Sequence, residues 1–219
     1  MRVIAVLPAR NEASRICAVL TGIKKTKTVD KTIVVDDAST DNTAEAAKSA
    51  GATVIRLKSH GGVGAATVAG LDAALRNGAE IIIFLDADGQ HDPKDIRKFI
   101  RNVESGADFV LGKRDLSAYP FKKRFGNFML RVLANALCPT GLSDPECGFR
   151  ALSKNAAKTL DLQGRRYEIC MDFVYNVWKN KLNVMEVPIN VPIYYRRKGT
   201  RMRTGIVNFL HLLKRRLLG

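Results

Sequence analysis

The chain has 219 residues, 46% of them hydrophobic and 26% charged, a balance that excludes a disordered or fibrous chain and is enough to bury one continuous core. Its 36 Lys and Arg outnumber its 21 Asp and Glu, and the net charge of +15 calls for an anionic partner: nucleic acid, an acidic membrane surface or a phosphorylated substrate. Four scattered cysteines form no C-x-x-C pair, which excludes the usual structural zinc spacing and favours reduced thiols.

The N-terminal apolar run meets Pro8 too early to form the core of an export signal, and no stretch of about 18 uncharged apolar residues offers a membrane span. Residues 3–7, 32–35, 53–57, 81–85 and 109–111 read as strands. Their runs, such as VIAVL, TIVV and IIIFL, are continuously apolar, as strands covered on both faces become. Helical stretches at about 13–24, 42–50, 63–77 and 93–104 alternate with them, which predicts an α/β fold with a mostly parallel sheet flanked by helices and a Rossmann-like N-terminal half. Ser39, Thr40 and Asp41 can cap the second helix, and Asp92 followed by Pro93 suits the start of the fourth.

After about residue 115 the rhythm changes to a basic amphipathic helix near 121–137, the segment SDPECGFRALS, helices near 154–160 and 168–180, then VMEVPINVPI. Pro188 and Pro192 confine that last segment to an edge strand or an irregular one. Without a repeat or a low-complexity linker, residues 1–219 are expected to form one domain, with its ligand half in 1–115, a second half in 116–203 and an amphipathic helix in 204–219. That helix sets Ile206, Phe209, Leu210, Leu213 and Leu217 beside Lys214, Arg215 and Arg216, a pattern that suits core packing or a membrane surface.

Ligands of open α/β sheets bind outside the carboxyl ends of the strands, where this chain carries PARNE, VVDDASTDNT, FLDADGQHDP and LGKRD. Asp86 and Asp88 stand two apart at a strand end, so both carboxylates point to one side and call for a hard divalent cation with positions open to phosphate oxygens. Gln90 or His91 could complete that shell. At the second strand, at least one of Asp36 and Asp37 should face the crevice, where a carboxylate accepts from ribose hydroxyls or a base N–H. The HGGVGAA segment matches neither the dinucleotide fingerprint nor a phosphate-binding P-loop, and close packing at a helix start accounts for its glycines.

Taken together, PARNEA, VVDDASTDNT, DADGQHDP and the later CGFR resemble the nucleotide-diphospho-sugar transferases of glycosyltransferase family 2, in particular the dolichol-phosphate mannose synthase branch. The resemblance runs from Pro8 through Arg203. It implies the GT-A fold, a GDP- or UDP-hexose donor, Mg²⁺ or Mn²⁺ as cofactor, inversion at the anomeric carbon, and a polyprenyl phosphate acceptor. Pro8, Glu12 and Asp37 fall at its nucleoside positions, Arg10 is a further donor-binding candidate at a place where relatives vary, and Asp86, Ala87, Asp88 and Gln90 fall at its metal and diphosphate site. Arg114 matches its donor-phosphate arginine, and Arg124 with Asn127 lies on the helix facing the acceptor phosphate. In the basic stretch RRKGTRMR, Arg197, Arg201 and Arg203, with Arg196 and Lys198, are expected to close over the phosphates, although Arg-Met stands where the family pattern G-x-S-K has Ser-Lys.

The chemistry so implied is attack by an anionic phosphate oxygen, which needs no strong base; Asp86, Asp88 and Arg114 serve the leaving diphosphate. A sugar-hydroxyl acceptor would need one, and Asp144, Glu168 or Asp172 would be its candidates. Peripheral contact with the cytoplasmic face of a membrane follows from the lipid acceptor and the C-terminal helix. With 7% aromatic residues and no nucleic-acid signature, a nucleic-acid partner is not expected.

Overall fold

The computed structural model describes residues 1–117, 119–191 and 202–218, without the side chain of Met202. Seven strands form one sheet: β1 (Val3–Ala9), β2 (Lys31–Asp36), β3 (Thr53–Arg56), β4 (Ile81–Phe84), β5 (Phe109–Arg114), β6 (Arg150–Ser153) and β7 (Val184–Ile189), in spatial order β3-β2-β1-β4-β6-β5-β7. All neighbouring pairs are parallel except the two made by β6, which runs antiparallel to both β4 and β5. The sheet thus takes strands from before and after residue 115, with β6 inserted between β4 and β5.

The sequence-predicted strands are all present; in the central ones the apolar side chains are covered on both faces, so that Ile4 to Leu7, Ile33 to Val35 and Ile81 to Ile83 are completely buried, whereas the edge strand β3 is only partly covered. Each such side chain contributes about 1.5–3 kcal/mol relative to an exposed one. Beside them run α1 (Ala13–Thr26), α2 (Thr43–Ser49), α3 (Val63–Arg76) and α4 (Ile96–Glu104). In α4, Ile96, Phe99, Ile100 and Val103 recur at i, i+3, i+4 and i+7 and are buried, and Phe99 stacks on Phe149 at 4.0 Å. The predicted start at Asp92 and Pro93 forms as a short 3₁₀ turn whose first N–H, that of Lys94, donates to Asp92. At α2 the cap position itself is Asn42, while Asp41 accepts from the Thr43 N–H at 3.0 Å.

Beyond β5 come α5 (Phe121–Leu137), α6 (Lys154–Thr159), α7 (Ile169–Lys179) and α8 (Met202–Leu218). β7 lies at the sheet edge, as its proline requires: Pro188 faces Lys113 in register. Of the two arrangements open to the C-terminal helix, packing of its apolar stripe in the core is largely not what forms. Asn208, Leu212 and Arg215 are its buried side chains, whereas Ile206, Leu210 and Leu217 are exposed. Its inner edge is therefore largely polar, and the apolar pattern read from sequence points mostly outward. Among the described residues no helix is long and apolar enough to cross a membrane.

Candidate active site

β1 leads to β2 and β3 on one side and has β4 on the other, so the loops after β1 and β4 part and leave a crevice between them. A cleft of about 390 Å³ opens there, lined by Pro8, Ala9, Arg10, Asp37, His60, Gly62, Val63, Ala66, Arg166 and Tyr167. A narrower space of about 80 Å³ shares Pro8, Val63 and Tyr167 with it and reaches Asp86, Glu146, Gly148 and Arg150.

The end of β2 divides its two carboxylates. Asp36 turns inward, accepting from the Ser39 N–H and pairing with Arg56 Nε at 3.2 Å. Ala38, held with φ at 51°, then reverses the chain so that Asp37 faces the cleft. The Asp37 carboxylate accepts from the N–H groups of Gly61 at 2.7 Å and Gly62 at 2.9 Å, and Oδ2 lies 2.7 Å from His60 Nδ1. The glycines of HGGVG serve close packing, as expected: a Cβ on Gly64 would stand 2.1 Å from the carbonyl oxygen of Gly164.

Asp86 and Asp88 follow β4, and Asp86 lines the narrow end of the crevice. Burial, then the neighbouring charge of Asp86, pushes the Asp88 carboxyl above the usual range. Among the described residues no lysine or arginine pairs with either carboxylate. Gln90 donates to Asp88 through both its backbone N–H and its side-chain amide, so it orients that carboxylate. His91 is buried, and burial holds it below its usual pKa and neutral. Its Nδ1 accepts from the Asp86 N–H at 3.3 Å, which leaves the proton on Nε2, 3.8 Å from Asp86 Oδ2. His91 thus orients Asp86 and does not itself coordinate through Nδ1. The glycine of CGFR has a steric reason, since a Cβ on Gly148 would lie 2.6 Å from Asp86 Oδ2.

These carboxylates fit a hard divalent ion. The described residues contain no third His, Cys, Asp or Glu to close a protein cage, so two oxygen-donor side chains would hold such an ion and leave positions for phosphate and water, the arrangement Mg²⁺ and Mn²⁺ favour in phosphate sites.

The other expected site residues are distributed unevenly. Pro8 and Arg10 line the cleft, whereas Glu12 pairs with Arg15 at 2.6 Å and its carbonyl caps the start of α1. Ala87 is buried in the core, so its side chain is withdrawn from the site. Arg114 is bound to Asp144 through Nε at 2.6 Å and Nη2 at 2.7 Å; burial opposes its charge, but this paired carboxylate outweighs burial and raises its pKa. Arg124 is exposed and Asn127 half-buried on α5, and neither lines the two spaces above. Arg203 is exposed at the start of α8; Arg196, Arg197, Lys198 and Arg201 lie outside the described residues.

Of the candidate bases, Asp144 is occupied by Arg114, and Asp172, completely buried, accepts from Gln163 N, Gly164 N and His211. Neither is free to take a proton from a substrate, which corrects their proposed part. Glu168 accepts from the Arg166 N–H at 3.0 Å. Sequence reasoning missed Glu146, which lines the narrow space, accepts from Asn208 of α8 at 3.1 Å, and is pushed above the usual carboxylate range chiefly by burial. Glu146 and Arg150 flank CGF within the segment already singled out, and His60 adjoins the glycine loop; adjacency to those motifs was the available signal. Arg166 and Tyr167 had none.

The pattern of the family described as "Glycosyl transferase family 2" matches residues 4–161. The chain is 33% identical over 95% of its length and 93% of the relative's to a UDP-N-acetylglucosamine–dolichyl-phosphate N-acetylglucosaminyltransferase of Methanococcus voltae. It is 26% identical to the polyprenol monophosphomannose synthase of Mycolicibacterium smegmatis, over 86% of this chain and 76% of that one. Among solved structures, glucosyl-3-phosphoglycerate synthase from Mycobacterium tuberculosis, in complex with Mn²⁺, UDP and phosphoglyceric acid, superposes with a TM-score of 0.79 at 19% identity, covering 100% of this chain and 79% of that one.

Proposed function

The chain belongs to glycosyl transferase family 2, and on that premise we propose that it moves a hexose from a UDP-linked donor to the phosphate of a polyprenyl lipid. It is a glycosyltransferase with the GT-A fold. The observation that carries the proposal is the pair Asp86 and Asp88, unpaired with any described lysine or arginine, at the switch point of the sheet and beside a cleft faced by Asp37.

Bound to that pair, a divalent cation would neutralise the departing diphosphate. Arg114 Nη1 makes no hydrogen bond among the described residues and is the part of that guanidinium left for a phosphate. The acceptor phosphate oxygen attacks the anomeric carbon from the face opposite the diphosphate; the new C–O bond forms as the old one breaks, and its electron pair leaves with UDP. No proton need be removed from a phosphate monoanion or dianion, in keeping with the occupied state of Asp144 and Asp172.

Uracil is favoured over guanine by the acceptors that Asp37 has left. Each carboxylate oxygen offers about two lone-pair positions. Oδ2 meets both Gly62 N and His60, and Oδ1 already takes Gly61 N, so one position remains. Uracil presents one N–H, at N3, whereas guanine presents an adjacent pair at N1 and N2 that would use both oxygens. The Methanococcus relative, named for a UDP-sugar, agrees with this choice.

A membrane-facing side is supplied chiefly by α5. Phe121, Phe125, Phe128 and Val132 recur at i, i+4, i+7 and i+11 and are exposed, flanked by Lys122, Arg124 and Arg131. Ile206, Leu210 and Leu217 of α8 extend the exposed apolar surface, because α8 packs beside α5.

One assay tests donor, acceptor and surface together: labelled UDP- and GDP-hexoses with polyprenyl phosphate in anionic vesicles. The expected result is label in the organic phase from a UDP-sugar, with the protein floating alongside the vesicles. Glu146 favours a second reading, in which this carboxyl serves as base for a sugar-hydroxyl acceptor. Label confined to water-soluble glycan supports that reading against the first, and label from GDP-sugars alone contradicts the choice of base.

A further inference from the structure

The 163–167 segment brings Arg166 and Tyr167 to the cleft, yet it contains no regular element of its own. It is held on two sides. Against α3, the Arg165 carbonyl accepts from the Ala65 N–H at 3.0 Å, and Gly62 and Gly64 leave room for the backbone of 164 and 165. From below, Asp172 Oδ2 accepts from Gln163 N at 2.7 Å and Gly164 N at 2.5 Å.

The other oxygen of Asp172 belongs to the C-terminal helix. Oδ1 lies 2.7 Å from His211 Nε2 and 3.5 Å from Arg215 Nε. Arg215 also donates to the Asp161 carbonyl at 2.9 Å, at the base of the same segment, and its guanidinium lies over the Tyr175 ring at 4.5 Å. Arg216, next to it, covers Trp178 at 4.2 Å. Asp172 is completely buried, so these partners alone compensate for withdrawing its oxygens from water.

We propose that Asp172 is a positioning residue for donor binding, and that His211 and Arg215 make α8 part of the same device. Asp172 fixes the segment that carries Arg166 and Tyr167, and α8 fixes Asp172. The segment would otherwise have two backbone N–H groups without partners and one flank without support, so the cleft wall would lose its definition. This rests on the reading of the cleft as the donor site.

The test uses the full chain and two readouts. In Asp172→Ala, amide hydrogen exchange across 160–168 should quicken by about tenfold or more. The KM for a UDP-sugar should rise about tenfold, with kcat and the acceptor KM changing much less. Asp172→Asn retains one oxygen acceptor for the Gln163 and Gly164 N–H groups but gives up the oxygen that meets α8, and should recover part of both effects. If the alanine variant does not fold, His211→Leu should move both readouts in the same direction by a smaller amount. Exchange in 160–168 equal to the parent's, or acceptor KM rising while donor KM stays fixed, overturns the proposal. A parent chain that binds no UDP in calorimetry overturns the functional reading instead, and the exchange readout then decides on the clamp by itself.

Discussion

Replacing both Asp86 and Asp88 by asparagine should lower turnover at least about a thousandfold and leave the fold intact. Loss of a single preorganised donor to a developing anion costs about 10²–10³ in kcat, and removing both carboxylates takes away the whole anchor of a metal-held diphosphate. The fold should not suffer, for a reason of sign. Burial and the charge of Asp86 raise the Asp88 carboxyl above its ordinary value, so in the metal-free protein the ionised form destabilises the folded state at neutral pH, and that penalty fades as pH falls through the range where Asp88 takes up its proton. Asparagine at both positions removes the repulsion. The metal-free double variant should therefore melt at or above the temperature of the metal-free parent. Turnover within tenfold of the parent would count against the assignment, and a large fall in melting temperature would assign these residues to stability.

Arg114→Ala should destabilise the protein by about 3–5 kcal/mol, the usual cost of leaving one partner of a buried ion pair uncompensated. Arg114 and Asp144 have side chains only 16% and 3% exposed, and their two charge-assisted bonds join the end of β5 to the loop before β6. At about 2–4 °C per kcal/mol for a chain of this size, the melting temperature falls by roughly 10 °C. Arg114→Met combined with Asp144→Leu should recover much of that loss, because no charge is then left unpaired. Thermal unfolding of Arg114→Ala and of the double variant checks this. A shift below about 2 °C in Arg114→Ala contradicts the structural role, and inactivity of that variant at a temperature where it is unfolded says nothing of phosphate binding.

The parallel strands and the carboxylates at their ends were legible in the sequence because both signals are local. A strand buried on two faces writes itself as an unbroken apolar run, and Asp86 and Asp88 follow such a run directly. Pro188 marked an edge strand because proline cannot donate to a neighbouring strand. β6 was not legible: it has four residues, begins with the charged Arg150, and owes its direction to partners far away in the chain. Arg150 is tolerated there because its Nε donates to the Cys147 carbonyl and its guanidinium covers Phe173.

The partners of the buried charges were hidden for the same reason. Thirty residues separate Arg114 from Asp144, and thirty-nine separate Asp172 from His211, so nothing in either local pattern declared the pairing. In α5 and α8 the apolar periodicity was readable but its direction was not. A stripe at helical spacing states that one side is apolar, and only the packing reveals that Phe121, Phe125 and Phe128 face outward while Asn208 and Arg215 face in.

The proposed activity rests on Asp86 and Asp88 holding the cation that binds the donor diphosphate. Crystals grown with Mn²⁺ and UDP, measured at a wavelength where manganese scatters anomalously, test it directly. One anomalous peak is expected within coordination distance, roughly 2–2.5 Å, of a carboxylate oxygen from each aspartate, with diphosphate oxygens on its open side. UDP bound in the cleft with manganese absent from these side chains, or lodged elsewhere, would contradict it.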